Sequence, residues 1–489
     1  MPTRKITILH SNDMHGDFLS ETCGTSGELI GGLALLSGYI NKVREEEENV
    51  LYVIAGDMLQ GSIIDSEYKG ISTMEIMNYL APDVVALGNH EFDYGFPHLL
   101  FLEKMANFDI VNANLYIEKY NKRIMQPYII IDVAGYSILF TGIITEKVMD
   151  SIVSTDNLIS TFITLKDAAD EVGRITNAYQ EDRINLTVLL THIGLESDLE
   201  LAGLLDPAWG VDLIIGGHSH SILDQPEQVN NILVTQAGEG TKQIGRFDIV
   251  VEESSNSIVE WQWKLVPISS HSAEADHDLL DFIHSYKSEV ETKYNAIVTK
   301  LAYKHTHPER EIETALGNLF ADGLAEMSET DIMLLGSGSI RQKELGPLVT
   351  LKDYVSCFPF KDSLNRFTVS GSKLWQMFNH FMRLENRNGE GECYQVNDAV
   401  RAVYSDSDRQ LALLEVNGEP VDHQKTYQVC ITGYHFNGSI SYLGLTETDL
   451  REDGPSHVVS TSMADVLEEW FMNNQNEGRK IEGRLVYLS

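Results

Sequence analysis

Five times within its first 220 residues, the chain runs a short apolar segment straight into glycine and side chains able to hold a metal ion. Residues 6–9 lead to Ser11-Asn12-Asp13-Met14-His15-Gly16, and residues 50–55 to Gly56-Asp57. Residues 84–87 lead to Gly88-Asn89-His90-Glu91-Phe92-Asp93, residues 186–190 to Thr191-His192, and residues 211–215 to Gly216-Gly217-His218-Ser219-His220. Near-continuous apolar runs of this length, rich in β-branched residues, are predicted to be strands buried on both faces, as in parallel sheets. In such sheets ligands gather beyond the carboxyl ends of the strands, where glycine lets the backbone turn sharply. With amphipathic stretches such as 33–46 between the runs, the pattern predicts an α/β architecture.

Any one of these fragments is weak, because an isolated Asp-x-His or Gly-Asp turn is more often structural than metal-binding. Together they concentrate five of the chain's 16 histidines beside Asp13, Asp57 and Asn89. Two ions roughly 3.5–4 Å apart need about eight ligands, including a bridging carboxylate and a water. Mixed imidazole, carboxylate and amide donors suit Mn²⁺, Zn²⁺ or Fe²⁺. The absence of cysteine from the set argues against a structural zinc site.

Charge narrows the partners. With 36 Lys+Arg against 73 Asp+Glu, the formal net charge is −37. Nucleic-acid polymers are held by dense cationic surfaces, so they are excluded as general partners, whereas a small anion at a metal site is not. The four cysteines, Cys23, Cys357, Cys393 and Cys430, are scattered and form neither a zinc pattern nor a disulfide framework. The start of the chain has no secretory signal pattern and no stretch approaches 18 apolar residues. The expectation is a cytoplasmic protein with no membrane association.

At 489 residues, two domains are expected. The first is placed at 1–270, closed by alternating strands at 244–251 and 259–266. A linking helix is placed at 271–295, where Leu279, Leu280, Ile283, Tyr286 and Val290 fall at helical spacing. A second α/β or α+β domain is placed at 296–489.

The five turns, in this order, resemble the motif set of the calcineurin-like metallophosphoesterases, and with the second domain the chain resembles the 5'-nucleotidase family. The resemblance implies a four-layer α/β/β/α sandwich followed by a smaller substrate-binding domain. It implies two divalent metal ions (Mn²⁺, Zn²⁺ or similar): one held by Asp13, His15 and His220, the other by Asn89, His192 and His218, with Asp57 bridging. His90 and Asp93 would form a catalytic dyad, the ring stabilising phosphoryl charge or protonating the leaving oxygen. Glu91 reads as structural. The implied reaction is release of phosphate from nucleoside 5'-monophosphates by hydroxide generated at the metals.

In the second domain, residues 313–322 resemble the family's opening helix, and Gly336-Ser337-Gly338-Ser339-Ile340-Arg341 its Gly-rich segment. The resemblance makes Arg341 a substrate contact and Phe360 one wall of a base sandwich. Tyr434 or Phe436 supplies the other wall. Gly336 stands where the family usually has Asn, Ile312 where it often has Arg, and the usual Gly-Gly-Asp-Gly is absent after the second aromatic. These departures bear on nucleoside recognition rather than on phosphoryl chemistry. Competing expectations are a 2',3'-cyclic nucleotide phosphodiesterase, a nucleotide-sugar or diphosphate hydrolase, and a catalytically inactive nucleotide sensor.

Overall fold

The computed structural model describes residues 3–23, 27–117, 122–144, 164–178, 184–252, 256–387 and 392–488. The chain divides into two compact units, Met1–Val290 and Glu291–Ser489.

In the first unit the apolar runs become two six-stranded sheets. One is ordered Ser257–Pro267, Gln243–Glu252, Thr3–Ser11, Val50–Ala55, Val84–Ala86, Asp109–Val111. The other is ordered Glu227–Val229, Ile232–Thr235, Leu213–Ile215, Ile184–His192, Tyr136–Ile144, Tyr128–Val133. Each has a parallel centre, with the antiparallel pair expected at 244–251 and 259–266 extending the first sheet.

The strands are apolar on both faces because both faces are covered. Ile8, Val53, Ala55, Val84 and Ala86 pack between the sheets against Phe140, Val188, Leu190, Leu213 and Ile215. Alternate residues Leu139, Ile143, Leu189 and Ile214 turn outward onto Ala168, Val172 and Leu201 of the helices Leu165–Ala178 and Leu195–Leu204. The helix Leu33–Glu46 lies against the strand Val50–Ala55, burying Leu36, Ile40 and Val43. The result is four layers, α/β/β/α.

Register puts the metal-capable residues at one end. Ser11 pairs with Ile54, Ala55 with Ala86, and Leu190 with Ile215. The residues that follow leave their sheets in step.

His10 shows that not every histidine near this end is a donor. It is fully buried and stacked on Trp263, with ring centroids 5.4 Å apart. Burial alone pushes its pKa down to about 3, so the ring is a neutral packing element.

The helix His277–Tyr294 carries the chain into the second unit, burying Leu279, Ile283 and Val290. There a five-stranded sheet is ordered Tyr394–Val396, Ile332–Gly336, Thr426–Thr432, Leu364–Ser370, His457–Ser460. Helices Ala315–Ser328 and Met463–Asn473 contribute to one core, and helix Gly371–Phe381 with a smaller four-stranded sheet to another. Among the described residues no helix is long and apolar enough to cross a membrane.

Candidate active site

The turns that leave the strand ends are unusually bent. Asp13, His15, Asp57, His218 and His220 all have positive φ, between 47° and 79°. Non-glycine residues avoid this region because Cβ crowds the backbone, at about 1–3 kcal/mol each, so surrounding bonds must hold them there. Those bonds are present. The N–H groups of Asp13, His15 and Gly16 donate to the carbonyls of Gly56, Asp57 and Met58, each at 3.0 Å. Glu91, 1% exposed, accepts from the backbone N–H of Asp57 (3.0 Å), Met58 (2.8 Å) and Gly88 (2.6 Å). It is the clamp that fixes the Asp57 turn. Glycine is required beside it, since a Cβ on Gly88 would lie 2.1 Å from Asp57 Oδ1.

Two groups of donors result. In one, His220 Nε2 lies 3.4 Å from Asp13 Oδ1 and 3.2 Å from His15 Nε2. In the other, His192 Nε2 lies 3.1 Å from Asp57 Oδ2 and 3.2 Å from Asn89 Oδ1, and Asn89 Oδ1 is 3.1 Å from His218 Nδ1. Asp57 Oδ2 is also 4.0 Å from His15 Nε2, so its carboxylate lies between the groups. Donor atoms of Asp13, His15 and His220 fall within 4.8 Å of one another, as do those of Asp57, His192 and His218. All the residues assigned to metal by resemblance are therefore brought together. His15, Asp57 and His90 form a third such grouping, which makes His90 a geometric candidate too.

The electrostatics of this cluster favour a cation. Burial opposes charge on His192, yet Asp57 and Asp13 raise its pKa to about 9. Burial also opposes ionisation of Asp57, but His192 and the backbone N–H of His90 outweigh it and lower the carboxyl to about 2. Asp13 moves the other way because burial dominates and His192 is farther, at 3.8 Å. Buried carboxylates that draw so much positive charge onto an imidazole can exchange that proton for a metal ion. His15 and His220 point ring nitrogens at each other, and His15 Nδ1 is buried without a hydrogen-bond partner. Two carboxylates, four imidazoles and one amide fit two divalent ions.

His90 opens a 3₁₀ turn, His90–Phe92, and its Nδ1 meets Asp93 Oδ2 at 2.7 Å. The hydrogen bond to Asp93 raises the pKa of the ring, favouring the cation. Its backbone N–H donates to Asp57 Oδ1 at 2.9 Å. The site opens into a cleft of about 290 Å³ lined by His15, Asp57, Asn89, His90, His218, His220 and Gln60. Gln60 belongs to none of the sequence motifs, and neither does Glu239, whose carboxylate lies 2.6 Å from His220 Nδ1.

The substrate side chains expected in the second unit divide by exposure. Phe360 is 43% exposed, with the Arg341 guanidinium 5.4 Å above its ring. Tyr434 is 63% exposed, and its backbone N–H donates to Asp362 at 2.8 Å. Phe436 corrects the open choice between the two aromatics: it is 2% exposed and packed against Phe367, so it has no face to offer a ligand. The departure at Gly336 also has a cause. A Cβ there would lie 2.3 Å from the His435 ring, which fills the space.

Residues 6–221 match the calcineurin-like phosphoesterase family, and residues 295–447 match the 5'-nucleotidase C-terminal domain. The chain is 28% identical over 505 residues to the trifunctional nucleotide phosphoesterase protein YfkN of Bacillus subtilis (strain 168). That alignment covers 92% of this chain and 33% of that protein, so the chain spans about a third of that relative's length. It is 25% identical over 541 residues to a snake venom 5'-nucleotidase of Crotalus adamanteus, covering 99% of this chain and 89% of the relative. Among solved structures, the 5'-nucleotidase precursor from Thermus thermophilus aligns with a TM-score of 0.59 at 24% identity, over 99% of this chain and 100% of that one. This last likeness establishes the shared fold.

Proposed function

The chain belongs to the 5'-nucleotidase family of metallophosphoesterases, and from that premise we propose that it releases inorganic phosphate from nucleoside 5'-monophosphates. The observation that carries the reading is the clustered donor set, of which His15, Asp57, Asn89, His218 and His220 line one cleft with His90, itself paired to Asp93. Two divalent ions, Mn²⁺, Zn²⁺ or similar, held by Asp13, His15 and His220 and by Asn89, His192 and His218 with Asp57 between, would supply Lewis acidity and a water of lowered pKa.

The remaining work falls to the chain's own residues. Glu91 and the paired turns hold the donors in place before substrate arrives. Asp93 orients the His90 ring and keeps it cationic. His90 then offsets charge developing on the phosphoryl oxygens or gives its proton to the leaving oxygen. In the second unit Phe360 and Tyr434 are the aromatic faces available to a base, which stacking holds without demanding one identity. Arg341 supplies a planar cationic donor. The cytoplasm is the proposed compartment, supported by Cys357, Cys393 and Cys430 being buried free thiols.

A second reading, a 2',3'-cyclic nucleotide phosphodiesterase or a nucleotide-sugar or diphosphate hydrolase, uses the same metal site and differs in the second unit, where Gly336 and Ile312 depart from the family pattern for nucleoside recognition. The intact donor set and dyad weigh against an inactive sensor. The test is phosphate release with Mn²⁺ across 5'- and 3'-nucleoside monophosphates, 2',3'-cyclic nucleotides, a nucleotide sugar and a sugar phosphate, with EDTA as control. Direct products of the cyclic nucleotides and nucleotide sugar are followed chromatographically. EDTA-sensitive turnover of 5'-monophosphates supports the proposal. Turnover confined to the other substrates would replace it with the second reading.

A further inference from the structure

Among the proposed metal donors, His220 is the least enclosed. His192 is 0% exposed, and its Nδ1 is tied to the Ala55 carbonyl at 2.8 Å. Asp13 is 0% exposed and accepts from Asn12 Nδ2 at 2.7 Å and from the His218 N–H. The His220 side chain, by contrast, is 38% exposed, so packing does not set its ring. Its Nδ1 meets Glu239 Oε2 at 2.6 Å, while Nε2 faces Asp13 and His15.

The segment carrying Glu239 is tied to the Asp13 turn itself. Asn12 Nδ2 donates to the Gly238 carbonyl at 2.6 Å, and the Ala237 N–H donates to Asn12 Oδ1 at 2.9 Å. The Gly240 N–H donates to the Asp13 carbonyl at 2.8 Å. Glu239 and Asp13 thus share one backbone frame, and the His220 ring is held between their carboxylates.

We propose that Glu239 is a positioning residue that fixes the tautomer and orientation of His220. A neutral imidazole carries one N–H and one lone pair. With the proton on Nδ1 donated to Glu239, the lone pair is on Nε2 and aimed at the cation site shared with Asp13 and His15. Partners of this kind, which hold a ligating ring in place, are worth about 10–100-fold in metal affinity. Without Glu239 the ring can rotate or take the other tautomer, and only one of the two sites loses a donor. The proposal rests on His220 being a metal donor.

The experiment is calorimetric titration of the full chain with Mn²⁺ at fixed pH, comparing wild type, Glu239→Ala, Glu239→Gln and His220→Ala. At 63% exposure, Glu239 can be replaced without unpacking a core. Expected for Glu239→Ala is a loss of about 10–100-fold in affinity at one Mn²⁺ site, with the second unchanged. Glu239→Gln, whose amide oxygen still accepts from Nδ1, is expected to recover part of it. His220→Ala weakens the same site further. Unchanged binding in Glu239→Ala, or equal loss at both sites, would overturn the positioning role while leaving the donor set intact. Unchanged binding in His220→Ala would remove His220 from the donors, and the proposal with it.

Discussion

Replacing His90 with asparagine separates two functions that share one residue. The backbone N–H that holds Asp57 Oδ1 is kept, and the ring held by Asp93 is lost. The expected outcome for His90→Asn is a fall in kcat of about 10²–10⁴-fold with two Mn²⁺ still bound per chain. Metal content and kcat measured on one preparation check this. Loss of an ion would instead make His90 a donor, as its proximity to His15 and Asp57 permits. At this scale, the residues that sequence could point to are those launched from apolar runs. Gln60 and Glu239 lie where the local pattern names no chemistry. Glu239 follows Gly238 in a turn, and only the fold brings its carboxylate to His220.

The elements were legible where burial leaves a pattern. Strands covered on both faces read as near-continuous apolar runs, so the five turns that follow them are legible in the sequence. The short helix Gly433–Asn437 is different. In a helix the residues at 434 and 436 point to different faces, but which face is buried depends on Phe367, a strand residue 69 positions away from Phe436 in sequence. The two aromatics therefore predict opposite phenotypes. Tyr434→Ala should change stability by no more than about 0.5 kcal/mol and raise KM for a nucleoside monophosphate about tenfold. Phe436→Ala should cost about 3–5 kcal/mol of stability and leave the KM of the remaining folded enzyme unchanged. Thermal melts paired with KM measurements decide the matter. A selective rise in KM for Phe436→Ala, with unchanged melting, would return that residue to the substrate site.

For the whole molecule, each compact unit has its own hydrophobic core, while every proposed metal donor lies in Met1–Val290. Binding that occurs only in the folded state stabilises by mass action, by about 2.7 kcal/mol per site when the free ion is at 100 times its dissociation constant. The excess of 73 acidic over 36 basic residues adds a net negative field that favours a divalent cation. Scanning calorimetry of the full chain should therefore resolve two transitions, only one of which moves upward when EDTA is replaced by Mn²⁺. For a unit of this size each kcal/mol corresponds to roughly 2–4 °C. Phe436→Ala identifies the other transition, because that residue belongs to a core of Glu291–Ser489. Movement of both transitions together would show that the units melt as one. If Mn²⁺ moves neither, the first unit does not hold that ion, and the donor set must be tested with Zn²⁺ before any activity is assigned to it.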